Sequence, residues 1–347
     1  MENVKRGLKN FGLPRIIIIL FFIFLCVVAA ISGLDLKALI SNIINRLIMD
    51  GILVLAMVPG ILCGIGLNFG ISLGIIGGLL GACMAIEFGL AGFAAFVVAL
   101  ACSIFISSFI GVGYGAALNK MKGNEMTVST YVGFSIVALM CIGWLVLPFN
   151  SSTMRWPMGK GLRNTISLAD SFGGVLNEFG KFELFGIVIP TGGLLFFALC
   201  CFLVWLFLRS KTGVAMAAVG NNPKFAEASG ISVNRMRIIG TTLSTVLAAV
   251  GILVYSQSFG FIQLYNAPKM MAYSSIAAIL IGGASSNKAK ISHVVLGAIL
   301  FQGLLVVGMT VCNDVFDVPN LSEIMRVIIS YGIIVYALTR AGGGQRD

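Results

Sequence analysis

The sequence predicts an all-α integral membrane protein with about ten transmembrane helices, formed by one domain over residues 1–347. Of these 347 residues, 58% are hydrophobic and 10% are charged, whereas a soluble domain carries about 25% charged residues. The mean hydropathy is +1.02, and the apolar residues stand in long uncharged runs. This composition excludes most soluble enzymes.

The number of long uncharged runs predicts the number of transmembrane helices, because a helix that crosses the hydrocarbon core needs about 20 mainly apolar residues. The basic residues before the first run, with no small-residue cleavage site after it, favour a retained helix over a signal peptide. A stretch with Glu87 as its one charge fits three spans. The segment 270–283 is short and 322–339 carries two charges, so nine or eleven spans stay open. The predicted spans are 16–34, three within 51–119, 126–148, 184–208, 238–258, 270–283, 291–311 and 322–339.

The basic residues predict the orientation of the helices. Fifteen Lys and Arg against four acids fall in 1–15, 119–127, 209–237, 284–290 and 340–347. Seven against nine acids fall in the alternating segments 32–50, 87, 149–183, 259–271 and 312–323. Because cytoplasmic loops carry the excess of Lys and Arg, the first set is cytoplasmic and both termini lie inside. The largest extracytoplasmic loop is 149–183, and the net charge of +10 is a topology signal, not a nucleic-acid surface.

The residue inventory speaks against catalysis and against a bound metal or cofactor. The eight cysteines contain no Cys-x-x-Cys pair, so we interpret them as small buried hydrophobic residues. The single histidine, His293, is expected at the cytoplasmic interface, and one histidine is too few for a usual zinc cluster or for a triad beside it. A glycine-lysine phosphate loop is absent from the sequence. Transport across the membrane, or a scaffold role, remains.

A glycine-rich stretch, GILCGIGLNFGISLGIIGGLLG, occupies residues 60–81. Its small residues favour close helix packing. It also fits a discontinuous helix around Gly66 to Ser72, in which Asn68 and freed backbone groups face a cavity. The two interpretations are compatible, and both place the stretch inside the bundle.

Few other polar residues fall within the predicted spans. Gln257 stands between two serines near the outer end of one helix, and Gln302 lies in another. Interhelical hydrogen bonds are the more common role of such residues, and lining of a solute path is the alternative. Glu87 fits a solvated loop acid better than a buried proton carrier. The candidates for the translocation path are Asn68, Phe69, Ser72 and Gln257.

The segment 209–237 carries the signals of a short capped helix. Asn221 or Asn222 suits the N-cap, Pro223 the first turn and Gly230 a left-handed C-terminal cap, which defines a helix of about seven residues. So short a helix is not stable alone in water, and it lacks the large apolar face of a membrane-surface helix. We therefore expect it to dock onto another protein.

These residues resemble a known family. The pattern AVGNNP at 218–223, followed by the small residues up to Gly230, is similar to the cytoplasmic coupling loop of ribose/galactose-type sugar ABC-transporter permeases, which share a superfamily with branched-chain amino acid permeases. GLNFGIS at 66–72 and SSIAAILIGGAS at 274–285 resemble two further motifs of that family. Asn68 and Ser274 replace acidic residues of those motifs, and SNKAK at 286–290 replaces a glycine-rich loop.

The resemblance implies the permease subunit of an ATP-driven, binding-protein-dependent importer, with a monosaccharide as the first expectation for its solute. It implies a second permease copy, identical or paralogous, a cytoplasmic ATPase that holds ATP-Mg, and an extracytoplasmic solute-binding protein in a bacterial or archaeal plasma membrane. This chain itself is expected to be no enzyme and to bind no cofactor, metal or nucleic acid. The alternative solutes are a nucleoside and a branched-chain amino acid. The alternative classes of protein are an ion-coupled secondary transporter, for which Glu87 is the one candidate carboxylate, and a scaffold. The expected ATPase-coupling residues are Gly220, Asn221, Asn222, Pro223, Ala226, Glu227, Ala228, Ser229 and Gly230.

Overall fold

The computed structural model describes residues 13–157 and 161–315, together with residues 324, 327, 328, 331, 332 and 335. The chain in these regions is mostly helical, as predicted. The helices are α1 (Leu13–Ile31), α2 (Leu36–Leu55), α3 (Met57–Leu62), α4 (Ile71–Glu87), α5 (Gly92–Lys120), α6 (Glu125–Val146), α7 (Val175–Glu178), α8 (Thr191–Arg209), α9 (Lys211–Asn221), α10 (Pro223–Ala228), α11 (Val233–Phe259), α12 (Ala267–Gly282) and α13 (Ile291–Val315).

Within the described residues, six helical stretches are long and apolar enough to cross a membrane, one of which joins α2 and α3, and three shorter apolar helices accompany them. The six are Leu36–Leu62, Gly92–Lys120, Glu125–Val146, Thr191–Arg209, Val233–Phe259 and Ile291–Asp314, and the three are Arg15–Ile31, Ile71–Glu87 and Ala267–Gly282. Of the predicted span 322–339, six residues are described and all six are helical. The rest of that span, and the terminal segments 1–12 and 340–347, lie outside the described residues. The count of ten stays a prediction.

One predicted loop is a helix instead. Residues 32–50 were expected to be an extracytoplasmic loop because they carry four charges, but α2 already begins at Leu36. Asp35 supplies the reason: its carboxylate accepts hydrogen bonds from the backbone N–H groups of Lys37 and Ala38, which caps the helix. The prediction is therefore wrong for the stretch after Asp35, and Asp50 lies within a helix.

The span Leu36–Leu62 is interrupted near its end. Ala56 separates α2 from α3, although its N–H still donates to the Ile52 carbonyl at 2.9 Å as in a helix. Pro59 follows within α3 and has no N–H to donate to the carbonyl four residues earlier. After Leu62 the chain leaves the helical conformation until Ile71. The discontinuous helix predicted around Gly66 to Ser72 is confirmed, with the break at residues 63–70.

The glycine-rich α4 lies between α5 and α11 at the centre of the bundle. A Cβ atom added at Gly74 would stand 2.6 Å from the Ala248 methyl group on α11. One added at Gly81 would stand 2.6 Å from the Ser103 backbone nitrogen on α5. Both contacts are closer than side chains allow, so the close-packing interpretation of the glycines is confirmed together with the helix break.

Four short strands add to the helices within the described residues. Strand β1 (Thr165–Ser167) pairs antiparallel with β4 (Phe261–Gln263), with Ile166 opposite Ile262. Strands β2 (Phe182–Leu184) and β3 (Ile187–Ile189) form a hairpin. Outside a helix, pairing of this kind satisfies backbone N–H and C=O groups that would otherwise need water. These strands and α7 lie at one end of the bundle, which we call the loop end. The opposite end, with α9, α10 and the break at 63–70, is the coupling end.

Candidate functional site

The segment 209–237, which we call the coupling segment, contains two consecutive short helices, α9 and α10. Asn222 is the N-cap of α10: its Oδ1 accepts a hydrogen bond of 3.0 Å from the Phe225 backbone N–H, and Pro223 is the first helical residue. Gly230 has φ of +80°, in the left-handed region, and the Ile231 N–H donates to the Ala226 carbonyl at 2.9 Å. The predicted caps are confirmed, and the helix has six residues. Helix α9 was not predicted.

Most of α10 is exposed, although the helix is firmly attached. Ala226 is fully buried and Gly220 is buried at the end of α9, whereas Phe225 is 67% exposed. The remaining expected coupling residues, Asn221, Asn222, Pro223, Glu227, Ala228, Ser229 and Gly230, are all exposed.

Gly220 connects this segment to the helix break. A Cβ added at residue 220 would stand 2.9 Å from the Leu62 carbonyl carbon and 3.1 Å from the Gly64 nitrogen. Gly64 itself has φ of +81°, which favours glycine. The coupling segment and the end of α3 are therefore in direct backbone contact, with no side chain between them to absorb a displacement.

Asn68 is the hydrogen-bonding centre of the break. Its Oδ1 accepts from the Tyr114 hydroxyl at 2.8 Å and from the Gly70 N–H at 3.0 Å, and its Nδ2 donates to Ser244 Oγ at 3.1 Å. The break is thereby tied to α5 and α11. Asn68 has no exposed surface, so the expectation that it faces a cavity is not met in this structure.

Two other path candidates lie beside Asn68. The Ser72 hydroxyl donates to the Pro268 carbonyl at 2.7 Å, which joins α4 to the start of α12. The Phe69 ring stands edge-on to Tyr273, with ring centroids 5.9 Å apart. Phe69, Ser72 and Tyr273 line a narrow crevice together with Lys269.

Gln257 lies elsewhere, at the loop end. Its Oε1 accepts from the Leu176 N–H at 3.1 Å, and its Nε2 donates to Asn177 Oδ1 at 3.2 Å. The side chain has no exposed surface. The structure thus brings together three of the four path candidates, and gives the fourth hydrogen bonds that hold α7 against α11.

An ion pair crosses the coupling end between the starts of two helices. Arg237 Nη2 donates to Glu125 Oε1, and the two side chains are 7% and 16% exposed. It is the one salt bridge within the described part of the chain. Since a charge left alone at such depth is costly, the pair fixes α6 to α11 close to the coupling segment.

A cavity with both polar and apolar walls lies between α2, α12 and α13. Asp50 is 7% exposed and Gln302 is 4% exposed, and Gln302 Nε2 donates to Asp50 Oδ2 at 2.7 Å. Asp50 stands near the middle of the span Leu36–Leu62, where insertion scales assign an aspartate about 2.5 to 3.5 kcal/mol. Both residues line the cavity, which has a volume of about 470 Å³.

Residues 39–338 match the family described as "Branched-chain amino acid transport system / permease component". The chain belongs to this family. It is a multi-pass membrane protein of this permease family, and the resemblance to that family is confirmed.

Three curated relatives of the permease are import or transport permeases. It is 31% identical to the nucleoside ABC transporter permease protein NupC of Lactococcus lactis over 137 residues, 39% of this chain and 42% of that protein. It is 28% identical to the autoinducer 2 import system permease protein LsrC of an Enterobacter species over 203 residues, 56% and 53% of the two chains. It is 27% identical to the xylose/arabinose import permease protein XylH of Sulfolobus acidocaldarius over 216 residues, 61% and 53%. The chain thus spans about half the length of the curated relatives it matches, and no solved structure matches it.

Sequence reasoning missed the buried carboxylate of the permease. Glu87 is the one carboxylate that the sequence offers for an ion-coupled transporter, and this is wrong, because Asp50 is a buried carboxylate within a span. Glu87 instead lies at the loop end, where its carboxylate accepts hydrogen bonds from the N–H groups of Asn150 and Ser151, as a loop acid does. The available signal for Asp50 was its spacing of four residues from Arg46 within a run otherwise apolar after residue 46.

Proposed function

We propose that the chain is the membrane-spanning permease subunit of an ATP-driven, binding-protein-dependent importer. One observation carries this function: a permease-family chain presents an exposed, capped helix at 223–228, and Gly220, three residues before that helix, packs directly on the interrupted span. A transporter that is driven by a separate ATPase needs a docking surface for that subunit and a rigid connection from this surface to the transmembrane helices.

The chain's own residues suggest how the drive would be transmitted. An ATPase that closes around α10 displaces the coupling segment, and the contact of Gly220 with Leu62 passes that displacement to the break. The hydrogen bonds of Asn68 then distribute it to α5 and α11. ATP binding biases the two states only by its differential affinity for them. In this scheme ATP-Mg is held by the partner ATPase, and this chain binds no cofactor.

The proposed topology has ten helices and two cytoplasmic termini, with 209–237 in the cytoplasm and 149–183 as the largest extracytoplasmic loop. The excess of Lys and Arg at the coupling end supports it. Epitope tags inserted at residue 181 and at residue 230 test it in intact cells, because only the first should be reached by antibody from outside.

For the solute we propose a monosaccharide, with a nucleoside as the alternative. The names of the relatives support this class, since they include a xylose/arabinose import permease and a nucleoside permease. Asn68, Phe69, Ser72 and Gln257 are proposed to line the path, although in this structure only Phe69 and Ser72 line the crevice and Asn68 and Gln257 have no exposed surface; alanine variants provide the test. Transport rates unchanged in all four would remove the assignment.

Extraction through a tag on this chain in a mild detergent tests the assembly. An ABC ATPase, an extracytoplasmic binding protein and a second permease copy should co-purify and be identified by mass spectrometry. Deletion of residues 222–229 should leave an inserted chain without the ATPase. If the deleted chain still retains the ATPase, α10 is not its docking element.

A point variant sharpens this test. Phe225→Ala removes an exposed ring from α10 without opening the core, so recruitment of the ATPase should fall while the amount of inserted chain stays the same. Phe179→Ala is the matched control, because Phe179 is 72% exposed but lies at the loop end. Equal recruitment in the two variants would count against docking through α10.

The buried Asp50 favours one second candidate, an ion-coupled secondary transporter, because a carboxylate inside the membrane is a usual proton or sodium site. Uptake measured in energised vesicles separates the two candidates. Uptake that follows ATP and is unaffected by proton or sodium ionophores supports the importer. Uptake abolished by an ionophore at constant ATP would replace it.

A further inference from the structure

The cavity beside Asp50 is distinct from the crevice at the helix break. Tyr273 is the one described residue that lines both spaces. The cavity volume of about 470 Å³ lies within the range of roughly 300 to 1,000 Å³ found for small-molecule sites. It is therefore large enough for a solute of the size of a sugar or a nucleoside.

The buried pair Asp50 and Gln302 has acceptor capacity to spare. One carboxylate oxygen of Asp50 accepts from Gln302 at 2.7 Å. Within the described part of the chain, neither the other Asp50 oxygen nor the Gln302 side-chain carbonyl accepts a hydrogen bond. Two acceptors side by side on the wall of one cavity suit two donors on adjacent atoms of a ligand.

The charges around the cavity favour a neutral ligand. Arg46 lines the same cavity one helical turn before Asp50, so a cationic ligand meets Arg46 and an anionic ligand meets Asp50. The remaining wall combines polar groups with a broad apolar surface, as sites for sugars and nucleosides require. The polar lining includes Gln263, Asn266 and Ser274, and the apolar lining includes Met271, Phe301 and Leu305.

We propose that this cavity binds a neutral solute through adjacent hydroxyl groups of a pentose ring, either a free pentose or the ribose of a nucleoside. Asp50 accepts hydrogen bonds from the hydroxyls, and Gln302 positions the carboxylate and accepts a further one. This proposal rests on the proposed function only in taking the bound solute to be the transported one. Binding itself is measured without the ATPase or the binding protein.

Equilibrium binding of radiolabelled D-ribose and adenosine to the full chain in lipid nanodiscs tests the proposal. At least one of the two should bind, and Asp50→Asn should raise its Kd tenfold or more, because the variant keeps the shape but removes the charge-assisted hydrogen bonds. Asp35→Asn is the matched control: it changes an exposed carboxylate on the same chain segment and should leave the Kd unchanged. Binding of ribose alone identifies a free-sugar site, and binding of adenosine alone a nucleoside site.

Deoxy analogues distinguish recognition from a structural role. In the wild type, 2-deoxyribose or 2′-deoxyadenosine should bind at least tenfold more weakly than its parent, and Asp50→Asn should add no further loss. If the variant weakens parent and analogue equally, Asp50 is structural and the proposal fails. If the Asp50 variant cannot be purified, Asn266→Ala, at an exposed position of the rim, should raise the Kd threefold or more.

Three further results would overturn the site. They are no binding of either probe, an unchanged Kd in Asp50→Asn, and labelled sodium that binds in the wild type and is lost in Asp50→Asn while the pentose Kd is unaffected. A chain that binds ribose but recruits no ATPase contradicts the importer and leaves the site standing. A chain that recruits the ATPase but binds neither probe supports the importer and overturns the site.

Discussion

Replacing Gly220 with alanine tests the contact through which the coupling segment meets the helix break. The added methyl group would stand 2.9 Å from the Leu62 carbonyl carbon and 3.1 Å from the Gly64 nitrogen, whereas carbon atoms in contact are about 3.5 to 4.0 Å apart. Both neighbours are backbone, so the strain cannot be relieved by a side-chain rotation. Overpacking of this kind costs about 1 to 3 kcal/mol.

Gly113→Ala is the matched control for this change. Gly113 also lies inside a helix, α5, but a Cβ there meets nothing within 4 Å. Both variants gain about 1 kcal/mol of helix propensity, so the difference between their free energies of unfolding isolates the overpacking cost.

The assay has three parts: thermal unfolding in detergent, ATP hydrolysis by the reconstituted complex, and solute uptake. Gly220→Ala should unfold at a lower temperature than Gly113→Ala. It should lose uptake while ATP hydrolysis continues, because α10 remains exposed for the ATPase but its connection to the break is displaced. Equal unfolding temperatures and equal uptake in the two variants would refute the contact as the route of coupling.

Two further changes probe the caps and the hydrogen bonds of the site. Asn222→Ala removes the N-cap of α10 and should cost about 1 kcal/mol of helix stability, seen as weaker ATPase recruitment than in Asn221→Ala, which changes an exposed neighbour that is not the cap; equal recruitment would contradict the cap's importance. Asn68→Ala removes the hydrogen bonds of Asn68 with the buried Tyr114 and Ser244 hydroxyl groups, which contribute about 0.5 to 1.5 kcal/mol each, and should lower the unfolding temperature. Ser107→Ala is the control, because it removes a buried hydroxyl that has no hydrogen-bond partner within the described residues, and it should leave the unfolding temperature unchanged. A similar fall in both variants would show that the network around Asn68 stabilises little.

The parts of the structure that local chemistry decides could be predicted from the sequence. The capped helix at 223–228 follows from Asn222, Pro223 and Gly230, since each of these residues acts within a few positions of itself. The break at 63–70 follows from the glycines that precede α4. Most spans follow from the length of an apolar run, which depends only on membrane thickness.

The parts that depend on distant partners could not be predicted. Residues 32–50 resemble a loop because they carry charges such as Asp50. That Asp50 lies inside a helix bundle is explained only by its partner Gln302, which is 252 positions further along the chain. Gln257 was assigned to the path because it is polar and lies within a span, yet its amide groups are used by residues of α7. In both cases the sequence identified an unusual polar residue, and only the packing of the helices gave its partner.

The span Leu36–Leu62 connects the two candidate sites of the permease. Asp50 lies near its middle, at the wall of the cavity, and Leu62 ends it against Gly220 of the coupling segment. Leu62 lies 12 positions after Asp50, which corresponds to about 18 Å of helix at 1.5 Å per residue. Ala56, between α2 and α3, still has a helical hydrogen bond to Ile52, so the span is hydrogen-bonded across that junction. We propose that a displacement of Leu62 by the coupling segment is passed along this span and shifts Asp50 relative to α13. An event on α10 would then alter the affinity of the cavity without any residue that contacts both.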